Sequence, residues 1–254
     1  MMAHLLALFG GSIVGFALAL TGGGGSTLAV PLLLFVVGVQ DVHVAIGTSA
    51  LAVAVNAYAN LVVHARAGHV RWRAGLLFTC AGIAGAVAAS ELGKRVDGQS
   101  LTSLFALLMM VVAVLMLRPR KNPAAADPEH LVRHLKPRLL GTGFGAGTLA
   151  GFFGIGGGFL IVPGLVLAAR MEIIAAIGTS LLGVGSFGLA TALNYARSGF
   201  VNWPIALEFI CGGIVGGWVG VTSARRLAQS RGALNKVFAS MLIAVAAYML
   251  LNSW

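Results

Sequence analysis

Gly22-Gly23-Gly24-Gly25-Ser26-Thr27-Leu28-Ala29-Val30-Pro31 and Gly154-Ile155-Gly156-Gly157-Gly158-Phe159-Leu160-Ile161-Val162-Pro163 are two readings of one pattern in a single chain. Each is a glycine run breaking an apolar stretch, followed by a short apolar segment that ends on Val-Pro. The register that superposes them extends far beyond the glycines. Ala45-Ile46-Gly47-Thr48-Ser49 returns unchanged as Ala176-Ile177-Gly178-Thr179-Ser180. Ala65-Arg66, Gly68, Val70 and Trp72 fall on Ala196-Arg197, Gly199, Val201 and Trp203. Cys80, Gly82 and Gly85 fall on Cys211, Gly213 and Gly216, and Lys94-Arg95 falls on Arg225-Arg226. The chain is an internal duplication.

Composition says where the duplicated unit resides. Of 254 residues, 58% are hydrophobic and only 9% are charged, far from the mix of a water-soluble domain. The expected class is an all-α polytopic membrane protein. The net charge of +10 is not a nucleic-acid signal, because Lys and Arg fall in the gaps between apolar runs, as membrane topology requires. Cys80 and Cys211 lie inside apolar segments, far from any metal-binding spacing. The apolar start at Met1-Met2-Ala3-His4 lacks a basic n-region and is expected to be retained.

Apolar stretches place helical pieces near 5–21, 27–38, 43–64, 74–92 and 101–117, and again near 138–153, 159–169, 173–196, 204–224 and 232–251. Residues 1–117 therefore form the first membrane repeat and 138–254 the second. Between them, 118–137 contains Pro119, Pro123, Pro128 and Pro137 with mixed charge, a composition that opposes membrane insertion and helix continuity.

A unit that crosses the membrane an odd number of times inverts its successor. Under that reading one face collects every one of the 17 Lys and Arg residues except Lys94, Arg95 and Arg197. The parallel reading leaves a much weaker bias, so the positive-inside rule favours two inverted repeats, a cytoplasmic linker, and both termini outside the cell membrane.

Chemistry is expected at the breaks. Backbone amides and carbonyls that leave a helix cannot face lipid, so Gly22, Gly24 and Gly25, with Gly154, Gly156, Gly157 and Gly158, must be buried in protein or line a wet path near the midplane. Glycine admits a ligand to the backbone. Helix starts near Ser26-Thr27 and Gly158-Phe159 offer N–H groups and a positive dipole end, a combination suited to an anion. Close helix packing by small residues is the competing explanation, and it is preferred for Gly82, Gly85, Gly213 and Gly216. Neither run continues into the Gly-Lys-Ser/Thr of a nucleotide-binding loop.

Thr48, Ser49, Thr179 and Ser180 can donate to a substrate oxygen or back-bond within their own helices. Arg66 and Arg197 end equivalent helices and can draw anions to opposite mouths or balance helix dipoles. Glu208, one turn inside an apolar segment, is a candidate for proton coupling. Asp41 and Glu172 precede helices and read as caps. Asn56, Asn60 and Asn194 either line a path or join helices. His64, His69, His130 and His134 fall at helix ends or in the linker and are expected to be solvated. No paired Asp, no His-x-x-x-His and no Ser/Lys or Ser/His pair occurs at membrane depth, so an enzyme is disfavoured. No cofactor is expected.

The doubled glycine break leading to Val-Pro, the Ala-Ile-Gly-Thr-Ser run and the Gly-x-Val-x-Trp loop together resemble the sulfite exporter TauE/SafE family, over nearly the whole chain. That resemblance implies a permease moving small sulfur-containing or organic anions, such as sulfite or sulfonates, across the cytoplasmic membrane, with positions 22–27 and 154–159 as the matching sites. An anion channel, or a transporter of another paired five-helix family, is the alternative. The expected partners are a small anionic substrate and membrane lipid, not nucleic acid.

Overall fold

The computed structural model describes residues 2–117, 128–154, 158–169 and 171–227, together with Ile243, Ala246 and Ala247. Among the described residues the fold is entirely helical. α1 (Met2–Thr21) is followed by a 3₁₀ turn at Gly24–Leu28, by α2 (Ala29–Pro31), and by a π segment at Leu32–Val37. Then come α3 (Val42–Arg66), α4 (Trp72–Gly93), α5 (Gly98–Leu117), α6 (Pro128–Phe153), α7 (Gly158–Ala169), α8 (Ile173–Arg197) and α9 (Trp203–Leu227). Five of these helices hold a stretch long and apolar enough to cross a membrane: His4–Thr21, Val42–Arg66, Trp72–Gly93, Ile174–Arg197 and Trp203–Gly220. The protein is a polytopic membrane protein. The expected tenth segment, 232–251, lies mostly outside the described residues.

Helix ends follow from the residues that close them. Asp41 is extended at φ −89°, and its carboxylate accepts from the amides of His43 and Val44, capping α3 as expected. Glu172 stands at the same place before α8 but makes no side-chain capping bond. Gly22 and Gly154 have φ of +80° and +66°, the left-handed geometry that stops a helix and that glycine enters without a Cβ penalty. One expectation fails in the linker. Residues 128–137 are helical and continuous with α6: Pro128 occupies the first helical position, where its missing N–H has no partner to lose, and Pro137 is carried inside the helix.

The two units are interleaved. α1 packs on α9, α6 packs on α4, and α3 packs on α8. Along the first pair, a Cβ built on Gly212, Gly216 or Gly220 would run into Leu8, Ser12 or Phe16, so the two helices run parallel. Along the second, Gly143, Gly147 and Gly151 press in the same way on Phe78, Gly82 and Ala86. Two of the close points correspond across the duplication, Gly15 against Gly213 and Gly147 against Gly82. In each the added Cβ would lie 1.9 Å from a carbonyl oxygen. Lipid supplies no hydrophobic force between helices, so close backbone approach through glycine is what holds them. The packing role expected of Gly82, Gly85, Gly213 and Gly216 is what the structure shows.

α3 and α8 are equivalent helices that cross antiparallel. Gly47 meets Tyr195 and Phe200, Gly188 meets Ala50 and Ala54, and Gly178 meets His69. Tyr58 and Ser186 hydroxyls bond at 2.9 Å between them.

Candidate functional site

The glycine breaks meet. A Cβ on Gly23 would lie 2.1 Å from the Gly158 Cα, and one on Gly158 would lie 2.2 Å from the Gly23 Cα. The two chains touch backbone to backbone at that point. Gly22 lies against Ile177 and Ser180, while Gly154 lies against Ile46 and Ser49. Each break is thus seated on the first turns of the other unit's long helix, at the repeated Ile-Gly-Thr-Ser sequence. Gly156 and Gly157 lie outside the described residues.

Gly23 lies within the 22–27 segment expected to matter, but the repeat does not single it out, because Ile155 holds its matching place in the second unit. The signal that could have found it is the uninterrupted run from Gly22 to Gly25, in which any member can serve as a backbone contact.

Hydrogen bonding within the first break differs from expectation. The helical segment starts at Gly24 rather than at Ser26. The Ser26 amide donates to the Gly23 carbonyl at 3.2 Å, the Ser26 hydroxyl donates to the same carbonyl at 2.7 Å, and the Gly25 amide donates to the Thr21 hydroxyl at 3.2 Å. Ser26 and Thr27 are buried. The amides of Gly25 and Ser26 are therefore engaged locally, because a 3₁₀ start closes its bonds one residue sooner than an α-helix.

The Gly-Thr-Ser pairs divide the work between their two hydroxyls. Ser49 and Ser180 donate to the carbonyls of Ile46 (2.9 Å) and Ile177 (2.7 Å), back-bonding within their helices. Ser49 also comes within 3.5 Å of the Gly154 carbonyl. Thr48 accepts from the Asn202 amide at 3.0 Å, and Thr179 accepts from the Arg71 amide at 2.9 Å. Those amides stand immediately before α9 and α4, so each Thr satisfies a helix-start donor of the opposite unit. A bond that crosses 108 or 154 positions of sequence cannot be read locally.

Arg66 and Arg197 close α3 and α8 and are both exposed. Beside Arg197, the Lys94 ammonium contacts Glu91 at 2.7 Å, Asn194 at 3.0 Å and Ser198 at 3.0 Å, tying the end of α4 to the end of α8. Glu208 is not isolated in apolar surroundings. Its carboxylate pairs with the His4 ring at the starts of α9 and α1, and the two side chains are 24% and 56% exposed.

His64 and His69 depart from expectation. Their rings stand 5.7 Å apart, and the Nδ1 of each is buried without a hydrogen-bond partner among the described residues. A helix-end position says nothing about which other helices cover it, and here α1 and α8 do.

A model of the family described as Sulfite exporter TauE/SafE matches residues 7–249. The chain is 55% identical to a probable membrane transporter protein of Xylella fastidiosa strain Temecula1, over 96% of this chain and 94% of that one. It is 32% identical to a probable membrane transporter protein of Methanocaldococcus jannaschii, over 78% and 77% of the two chains. It is also 27% identical to the probable membrane transporter protein YunE of Bacillus subtilis strain 168, over 89% and 90%. No solved structure matches the chain.

Proposed function

This chain belongs to the sulfite exporter TauE/SafE family, and from that premise we propose that it carries small sulfur-containing oxyanions or organosulfonates, such as sulfite, through the cell membrane by alternating access. Membrane transport itself is the common character of the relatives. The narrower reading is carried by one observation, the backbone contact between Gly23 and Gly158 where the two breaks meet. A ligand held there reaches main-chain N–H groups at the start of the 24–28 turn and of α7, and helix starts favour negative charge.

Two units that run oppositely through the membrane explain how one site opens to either side. The antiparallel course of α3 and α8, together with the charge distribution, supports inverted repeats with the linker in the cytoplasm. Rocking of one set of packed pairs against the other then exposes the breaks alternately. A proton gradient supplies the drive. Purified protein in sealed vesicles, offered sulfite, sulfate, thiosulfate and a small sulfonate under an imposed pH gradient, tests the reading. Saturable, gradient-dependent flux of at least one anion is the expected result, and flux that never saturates would mark a channel instead.

A further inference from the structure

The long central helix of the first unit carries a file of polar groups, three of them buried and His64 half-buried, that its counterpart keeps at Ser180 and then replaces with bulkier or less polar side chains. Ser49, Asn56, Asn60 and His64 recur at helical spacing along one side of α3, over about 22 Å at 1.5 Å per residue. The matching residues of α8 are Ser180, Phe187, Thr191 and Tyr195, and the His69 that follows His64 is matched by Phe200. Phe187 stacks on Phe78. Asn56, at the equivalent place, is fully buried against Gly213 with neither its amide nitrogen nor its oxygen bonded among the described residues. Asn60 is buried against Gly217 and donates to the Asn56 carbonyl at 2.9 Å. A buried carboxamide without partners costs about 1–3 kcal/mol, a cost that α8 bears at the Thr191 and Tyr195 hydroxyls, which are also buried without partners among the described residues.

We propose that His64, paired with His69 and reached along the Asn56–Asn60 file, is the proton acceptor that couples proton flow to transport; this rests on the proton-driven reading given above. On the acidic side the imidazole Nδ1 of His64 forms an N–H bond as an O–H bond of hydronium breaks, leaving water and an imidazolium, and on the other side of the membrane that N–H breaks and the proton passes back to water as hydronium. Imidazole suits such a role because one ring nitrogen can accept a proton while the other keeps its hydrogen bond.

His69 is the titratable group that acts on His64 directly, and the other charged groups near that end are these. On α1 the facing group is the Ala19 carbonyl, and the one titratable residue of that helix, His4, stands at its far end. Gly178 of α8 meets His69. The titratable residues near that end are the exposed Glu172 before α8, the exposed Arg66 on α3, and the exposed Arg71 and Arg73 after it. α9 carries Arg225 and Arg226 in its last turns, with side chains outside the described residues, and Glu208 at its opposite end beside His4.

The test uses vesicles containing the whole protein and sulfite as the probe. Wild type should accumulate sulfite under a pH gradient, and H64Q should reduce that accumulation about tenfold or more. Sulfite-for-sulfite exchange at equal pH on both sides reports separately that anion is carried. Should H64Q fail to insert, N60L, which interrupts the file with an apolar side chain, should show the same loss. Gradient-driven accumulation by H64Q equal to wild type, or its loss in E208Q alone, would overturn the proposal. Wild-type exchange that ignores the pH gradient would overturn it while leaving the transporter reading intact. Absence of exchange for every anion would remove that reading itself, and the coupling proposal with it.

Discussion

Gly23 and Gly158 touch through their main chains, with no room for a single methyl group at either. A side chain can turn aside, but a backbone in contact with another backbone cannot. G23A and G158A should therefore each lower anion flux at least about tenfold, because a displacement of about 1 Å at a binding site has effects of that size or more. Gly38 provides the contrast. It also has positive φ, at +85°, yet a Cβ there meets nothing within 4 Å. G38A should cost about 1 kcal/mol in backbone strain and leave flux within about twofold of wild type. Vesicle flux and thermal unfolding in detergent, measured on the same preparations, read both effects.

The interleaved pairs make a matched prediction. G15A and G147A each place a methyl 1.9 Å from a carbonyl of the opposite unit, so each should lower stability by about 1–3 kcal/mol as overpacking does. Gly141 and Gly145 lie on α6 with open space beside them. Substituting Ala there should be neutral or should raise stability by up to about 1 kcal/mol through helix propensity. Shifts in melting temperature across the four variants check the pattern, and equal effects at all four would show that the pairs are not held by close approach.

Thr48 and Thr179 accept the amides that precede α9 and α4. T48V and T179V keep the shape and strand those donors, which should cost about 1–3 kcal/mol each, whereas T48S and T179S should retain most of the stability. Chemical denaturation in detergent separates Val from Ser. Equal losses for the two would mean that the methyl group, not the oxygen, carries the contribution.

Asp97 caps α5 outside the apolar spans. Its carboxylate accepts the Ser100 amide at 2.8 Å, and this bond, followed by one from the Ser100 side chain, holds its titration below the ordinary carboxylate range. Folded-state depression means the contribution is present above the unfolded carboxylate range and is lost as pH falls through the lowered folded value. Hydrogen exchange at the first turn of α5 should be slow at neutral pH and accelerate in acid, and D97N should exchange faster at neutral pH.

How far the residues announced this arrangement depends on the range of the interaction. The duplication, the breaks and the long helices were legible because each is written in consecutive residues: glycine runs, apolar stretches, and Asp41 before α3. The pairing of α1 with α9 and α6 with α4 was not, since a glycine stripe states that something approaches closely without saying what. The Thr48 and Thr179 bonds were hidden for the same reason. Gly23 was legible only as one member of its glycine run, because Ile155 interrupts the repeat at the matching place. His64 and His69 were misread because solvation was judged from position along one helix, whereas burial is decided by the helices packed across it.

The central claim is that the joined glycine breaks form the route of a small-anion transporter. Sulfite flux into vesicles, measured over a range of concentrations for wild type and for G158A, tests it most directly. The account predicts flux that saturates in the wild type and falls at least about tenfold in an inserted, folded G158A protein. Wild-type protein that moves none of the four sulfur anions, or G158A protein that carries sulfite as well as wild type, would contradict it.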